Sequence, residues 1–133
     1  MSQNEFDDTL QLIQRLTPGP HQPPLMSEAV QAATEFVIGV RGLMAGAGGP
    51  PWQVPLVEAG GDGAVVLLWQ DRQRMLSLVA GPEGAVRWFY EPGAPLGYLN
   101  LADASDLLTQ RASTPEDFAA RVWPAWVRGD DPS

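Results

Sequence analysis

The chain lacks cysteine and lysine, and no stretch of it is both long enough and apolar enough to cross a bilayer. The absence of cysteine excludes disulfide bonds, thiolate metal sites and cysteine nucleophiles. A membrane-spanning helix needs roughly 18 apolar residues in a row, so we expect no membrane segment. The first ten residues are acidic and polar, unlike a secretory signal, and we therefore expect a cytoplasmic protein.

Positive charge is scarce in this chain. All eight basic residues are arginine, and they stand against 16 acidic residues, which gives a net charge of −8. Binding to the phosphate backbone of a nucleic acid needs clustered cations, so we expect no direct nucleic-acid binding. An acidic surface favours solubility and a basic protein partner. The length of 133 residues fits one domain with a single hydrophobic core.

Residues 54–91 alternate short apolar runs with turn residues. The runs VPLVEA, AVVLLWQ, RMLSLVA and AVRWFYE are separated by GGDG, DRQ and GPEG. Glycine and aspartate tolerate the positive φ angles that tight hairpins need. This pattern predicts a four-stranded antiparallel β-meander over about 54–91.

The two faces of this meander are both partly apolar. Trp69 and Trp88 fall on one face, and we expect both to be buried. Val66, Leu68 and Phe89 fall on the opposite face. We expect this second face to be partly covered, either by the terminal segments or by another chain.

Helical patterns flank the meander. Residues 27–44 carry an apolar stripe behind a serine N-cap, and glycines at 39 and 42 suggest close packing against the sheet. In the C-terminal region, 101–128, the sequence predicts a short helix through Arg111 and a second helix that begins at Thr114 and Pro115. Pro124 is expected to end or kink the second helix. The predicted fold is α+β, with these helices packed on the sheet.

The domain organisation follows from the proline-rich stretch at 18–26. Residues 1–17 form an amphipathic helix, which we expect to be a loosely attached arm behind that linker. Residues 27–128 form a single α+β domain. Residues 129–133 are expected to be a disordered tail.

Two strand motifs carry a resemblance to known proteins. The first is Asp62-Gly63-Ala64-Val65-Val66-Leu67-Leu68-Trp69, and the second runs from Glu83-Gly84 to Tyr90. With the alanine-rich helix before them, they resemble a broad group of uncharacterised small bacterial and phage proteins. The likeness covers roughly residues 27–91. It implies an α+β fold and a bacterial or phage setting, and it carries no catalytic residue.

Candidate catalytic residues are few and poorly placed. His21 lies in the proline-rich linker, which we do not expect to hold a general base in a fixed position. Ser27 is explained as a helix cap, and Ser77 lies in the middle of a strand. The glycines at 46–49 follow a helix and precede a strand, which reverses the order of a phosphate-binding loop.

The paired carboxylates are also explained by structure. Each pair falls in or near the first turn of a predicted helix, where acids are favoured: Asp7 with Asp8, Asp103 with Asp106, and Glu116 with Asp117. We therefore expect no catalytic residue, no metal site and no cofactor.

Tryptophan and arginine near the ends of elements indicate a protein-contact patch. Trp52, Trp123, Trp126 and Arg128 are the residues we expect in it, because both residue types are enriched at protein interfaces.

The expected function is that of a non-catalytic interaction module. It would be a complex subunit or an inhibitor of the immunity or antitoxin type, with a homodimer as a further expectation. Two alternatives stay open. One is an acidic mimic of nucleic acid that inhibits a DNA- or RNA-binding enzyme, and the other is a small-ligand binder or enzyme.

Overall fold

Among the described residues, five strands form one antiparallel sheet, with two helices before it in the chain and one after it. The computed structural model describes residues 2–17, 20, 24–47, 51–60, 62–71, 74–81, 84–92 and 109–130. The first two helices are α1 (Ser2–Arg15) and α2 (Ser27–Ala47). The strands are β1 (Leu56–Ala59), β2 (Val65–Asp71), β3 (Arg74–Ala80), β4 (Val86–Pro92) and β5 (Thr109–Ala112). The C-terminal helix has three consecutive segments: α3 (Pro115–Asp117), the π-helical segment π1 (Phe118–Val122) and α4 (Trp123–Arg128).

The strands follow one another across the sheet in chain order. Two of the hairpins turn at Gly63 and Gly84, whose φ angles are 86° and 90°. Glycine adopts these angles without the steric cost that a side chain would add. The predicted four-stranded meander is therefore confirmed, and so is the α+β fold.

A fifth strand corrects the prediction for the C-terminal region. Thr109–Ala112 was assigned to a short helix, but it pairs with β4 in the register Trp88↔Arg111. The pairing supplies hydrogen-bond partners to the edge of β4, and the ladder continues with Ser113 N–H donating to Val86 O at 3.0 Å. Residues 101–108, where the rest of that helix was expected, lie outside the described residues.

One face of the sheet forms the main hydrophobic core. Trp69 and Trp88 are buried there, as predicted, and α2 packs across β2, β3 and β4. Apolar side chains of α1 and of the C-terminal helix belong to the same cluster, among them Phe6, Phe118 and Trp123. The C-terminal helix therefore shares the face that α2 covers. This agrees with the prediction that the helices pack on the sheet.

The opposite face holds a second, smaller cluster. Met75 and Phe89 are buried in it, and Leu68 and Val79 are partly buried beside them. This result agrees with the prediction that the second face is partly covered. The described terminal helices contribute their buried side chains to the first face instead.

Helix α1 is docked into the core and does not behave as a loosely attached arm. The Phe6 ring stacks on Trp52 with 4.7 Å between the ring centroids. Thr9 Oγ1 accepts a hydrogen bond from the Trp52 indole N–H at 3.0 Å and donates one to Glu5 O at 2.9 Å. Arg41 on α2 pairs with Asp7 on α1 at 3.2 Å. The apolar contacts and the buried hydrogen bond between Trp52 and Thr9 fix α1 against the rest of the fold.

The C-terminal helix begins as the sequence predicts. Thr114 is the N-cap, and its hydroxyl accepts a hydrogen bond from the Asp117 N–H. Pro124 does not end the helix, which continues to Arg128, because the chain widens into π1 just before the proline. There Trp123 N–H donates to Phe118 O, five residues back. A wider turn relieves the clash that a proline ring makes with the preceding turn of a regular α-helix.

No helix in the described ranges combines the length and the apolarity that crossing a membrane requires.

Candidate interaction surface

The tryptophans predicted to form a contact patch lie in the core. Trp52, Trp123 and Trp126 have exposed fractions of 1%, 0% and 2%. Arg128 alone is on the surface, where it pairs with Asp130 at 3.0 Å. The predicted patch was therefore wrong for its three tryptophans, since buried rings offer no area to a partner.

Three indole rings form the centre of the core. The ring centroids of Trp52, Trp69 and Trp123 are 4.9–5.4 Å apart, so each ring contacts the other two. Phe118 lies against all three. Aromatic pairs at these distances contribute beyond the area they bury. Trp52 was predicted to lie at an interface because it is near the start of a strand. The docking of α1 encloses it instead.

The indole N–H groups differ in their partners. Trp52 donates to Thr9 and Trp69 donates to Gln53 O at 2.9 Å. The buried N–H groups of Trp88 and Trp123 have no acceptor among the described residues. An unpaired buried donor costs free energy, so the two pairs of tryptophans stabilise the fold to different extents.

Two arginines stack on the remaining aromatic surface. Arg74 lies 4.2 Å from the ring centroid of Trp126 and donates to Trp126 O at 3.2 Å. Arg121 lies 5.6 Å from the Trp88 ring. Both arginines connect the sheet and the C-terminal helix, which is a structural role.

Arg121 is also held by an ion pair with Asp117, at 2.8 Å between Nη2 and Oδ2. The hydrogen bond to Asp117 is the largest cause of a raised pKa at Arg121; burial opposes this rise, and the charge of Asp117 adds to it. The raised pKa stabilises the folded state at low and neutral pH, and this contribution is lost only as the pH rises through the folded-state pKa. Arginine is protonated throughout the physiological range, so the pair creates no pH switch there.

Of the serines weighed for catalysis, the structure describes both, and it places them in different surroundings. Ser77 is fully buried between Leu68 and Phe89 on the neighbouring strands, and its hydroxyl has no partner among the described residues. Ser27 is exposed at the start of α2. His21 lies outside the described residues, as do Asp103 and Asp106.

The described acids do not form a metal site. Asp7 and Asp117 are each engaged by an arginine. Within the described ranges, no three metal-binding side chains converge on one position.

Large apolar side chains remain on the surface instead. Six of them are 40–58% exposed: Leu12, Met26, Ile38, Leu43, Val54 and Leu56. Ile38 and Leu43 belong to the second half of α2, where Gly42 and Ala45 are exposed as well. We call Ile38, Gly42 and Ala45, which share one side of the helix, the outer face of α2. The sequence offered one signal for it, an isoleucine outside the apolar stripe. The prediction that Gly39 and Gly42 pack against the sheet was wrong, because a Cβ at Gly39 would lie 3.0 Å from Pro115 of the C-terminal helix and one at Gly42 would meet no atom within 4 Å.

Comparisons with known proteins return no match. No protein-family model, curated protein or solved structure matches the chain.

Proposed function

We propose that this chain is a non-catalytic protein-interaction module that acts in the cytoplasm of a bacterial or phage system. It binds another protein, either as a subunit of a complex or as an inhibitor of the immunity or antitoxin type. The observation that carries the proposal is the outer face of α2, where apolar side chains stay exposed although the chain has a sealed aromatic core.

The charge pattern of α2 supports a binding role for this face. Residues 38–45 contain a single charged residue, Arg41, and Asp7 on α1 engages it at 3.2 Å. Two turns of a surface helix thus present no unpaired charge to solvent. The centre of a protein interface is typically depleted in charge in this way, and a contiguous exposed apolar patch on a soluble protein commonly marks such an interface.

Three of the polar side chains weighed for catalysis are engaged within the fold, in agreement with a role outside catalysis. The carboxylates of Asp7 and Asp117 are held in ion pairs, and the Ser77 hydroxyl is enclosed by apolar neighbours. A general base or nucleophile has to reach a substrate. These groups are instead used within the fold.

Affinity purification from the native host tests the proposal. The full chain is immobilised, and the retained proteins are quantified by mass spectrometry against a bead control. We expect one protein to be retained in near-stoichiometric amount and to bind the purified chain directly. Failure to retain any protein above the control, at both low and physiological salt, would contradict the proposed function.

A further inference from the structure

The side of the sheet opposite the main core is buried, although the cluster on it consists of strand residues. Phe89 is 4% exposed, Met75 is 9% exposed and Ser77 is fully buried. These side chains share one side of the sheet, because Ser77 pairs with Phe89 and residues two apart along a strand point the same way. We call the side that carries Met75, Ser77 and Phe89 the second face.

Neighbouring strands alone do not account for this burial. Side chains stand roughly perpendicular to a sheet, so on an uncovered face their neighbours shield the flanks and leave the outer ends in water. Ser77 lies directly across from Phe89 and is much smaller, so the Phe89 ring would project above it. Within the described ranges, the side chains packed on this cluster are Leu68 and Val79, and the helices place their large buried side chains in the main core. The second face therefore needs a further layer over it.

The connection between β4 and β5 is long enough to form that layer. It comprises residues 93–108 and is, at 16 residues, the longest stretch outside the described residues; every other such stretch has three or fewer. Three residues reach roughly 10 Å when fully extended, which is too short to enclose large side chains on two strands. A hairpin between adjacent strands closes with roughly two to five residues. The connection is therefore much longer than its closure requires.

The connection also leaves the sheet where the second face of β4 is buried. Thr109, at the start of β5, pairs with Tyr90, so residues 93–108 begin and end at the same end of the sheet. Phe89 lies beside Tyr90 at this end and is buried. Arg87 shares the face of Phe89 but lies two residues farther from the connection, and it is exposed. Burial on this side of β4 thus decreases with distance from the connection.

The composition of the connection suits a buried layer. Its sequence, GAPLGYLNLADASDLL, contains five leucines and Tyr98, and its charged residues are Asp103 and Asp106. Leucine is among the residues most often buried in folded proteins. Met75 and Phe89 offer apolar surface on which these leucines can be removed from water.

We propose that residues 93–108 pack over Met75, Ser77 and Phe89 and form a second apolar core on the far side of the sheet. The sheet is then covered on both sides, and its second face is closed to a partner and to a second copy of the chain. This inference goes beyond the proposed function and does not depend on it. It removes the second face from the surfaces that a partner can use.

Photo-cross-linking of the full chain tests the contact directly. Photo-methionine is incorporated at all four methionines during expression, and fragmentation spectra identify the residues to which each one is linked. We expect Met75 to link to residues within 93–108. Met26 is the internal control, because it lies against Gly63 at the opposite end of the sheet, and we expect no link from it to 93–108. A mixture of isotopically labelled and unlabelled chains shows whether a link lies within one molecule.

Oxidation of the same methionine gives a second readout. In the wild-type chain, Met75 should react with hydrogen peroxide severalfold more slowly than the exposed Met26. The double variant Leu99→Asp/Leu101→Asp should lower the melting temperature and speed the oxidation of Met75, because carboxylates are costly to bury in an apolar layer. Leu12→Asp is the matched control: Leu12 is exposed on α1, and we expect neither quantity to change.

Three results would overturn the inference. Links from Met75 to strand residues alone would show that the connection does not lie over it. Links between differently labelled chains would show that a second copy covers the second face. An unchanged melting temperature and unchanged Met75 oxidation in the double variant would show that the connection contributes nothing to the layer. All three results leave the proposed function standing, because none of them depends on the capture of a host protein.

Discussion

The inner and outer sides of α2 differ in burial and in the contacts they make. On the inner side, Val37 and Val40 are fully buried in the cluster that contains the three indole rings. On the outer side, Ile38 is exposed and Gly42 has empty space around it. The fold of this chain explains the inner side completely. The outer side makes no such contacts among the described residues, and we propose that a second molecule binds there. Substitutions should then affect stability on one side and binding on the other.

The largest effect is expected at the centre of the core. Trp123→Ala should lower the free energy of unfolding by about 3–5 kcal/mol, because it removes a large buried ring and leaves a cavity between Trp52 and Trp69. Urea denaturation followed by circular dichroism measures the loss. Leu43→Ala is the surface control and should stay within about 0.5 kcal/mol of wild type. Equal stability of Trp123→Ala and wild type would show that the indole cluster is not the core.

A smaller difference separates two conservative substitutions in that cluster. Trp52→Phe removes the hydrogen bond to Thr9, whereas Trp123→Phe removes an N–H that has no described acceptor. We expect Trp52→Phe to be less stable than Trp123→Phe by about 1 kcal/mol. Urea midpoints for both variants give the comparison, and the reverse order would contradict the docking of α1 through Thr9.

The two glycines give the smallest effects, but with opposite signs. Gly42→Ala should stabilise the chain by up to about 1 kcal/mol, because the helix gains a better former in open space. Gly39→Ala should destabilise it, because the new methyl group would press on Pro115 at 3.0 Å. Thermal unfolding of the two variants measures both signs. Destabilisation by Gly42→Ala would mean that the outer face is packed within the chain itself.

The sequence predicted the parts of the fold that depend on local signals. Alternating apolar residues and the glycine turns at 63 and 84 specify the meander, and Thr114-Pro115 specifies the start of the C-terminal helix. Strand β5 was missed because Thr109–Ala112 has no apolar alternation. It is a strand because the edge of β4 is available to it, which is a contact between segments distant in the chain.

The candidate surface was harder to predict than the fold. Residues 36–38 of α2 are all apolar, so composition alone does not show that Ile38 points away from the core. Trp52, Trp123 and Trp126 were assigned to the surface because they lie near the ends of elements. Their burial depends on α1 and the C-terminal helix meeting over one face, and no local pattern encodes that meeting.

The affinity of Ile38→Arg for the purified partner, measured by titration calorimetry, tests whether the partner binds the outer face of α2, and the free energy of unfolding of the same variant is measured beside it. Ile38 is 43% exposed, so we expect a stability within about 0.5 kcal/mol of wild type together with a loss of affinity of at least about tenfold. Wild-type affinity in a normally folded Ile38→Arg protein would show that the outer face of α2 is not where the partner binds.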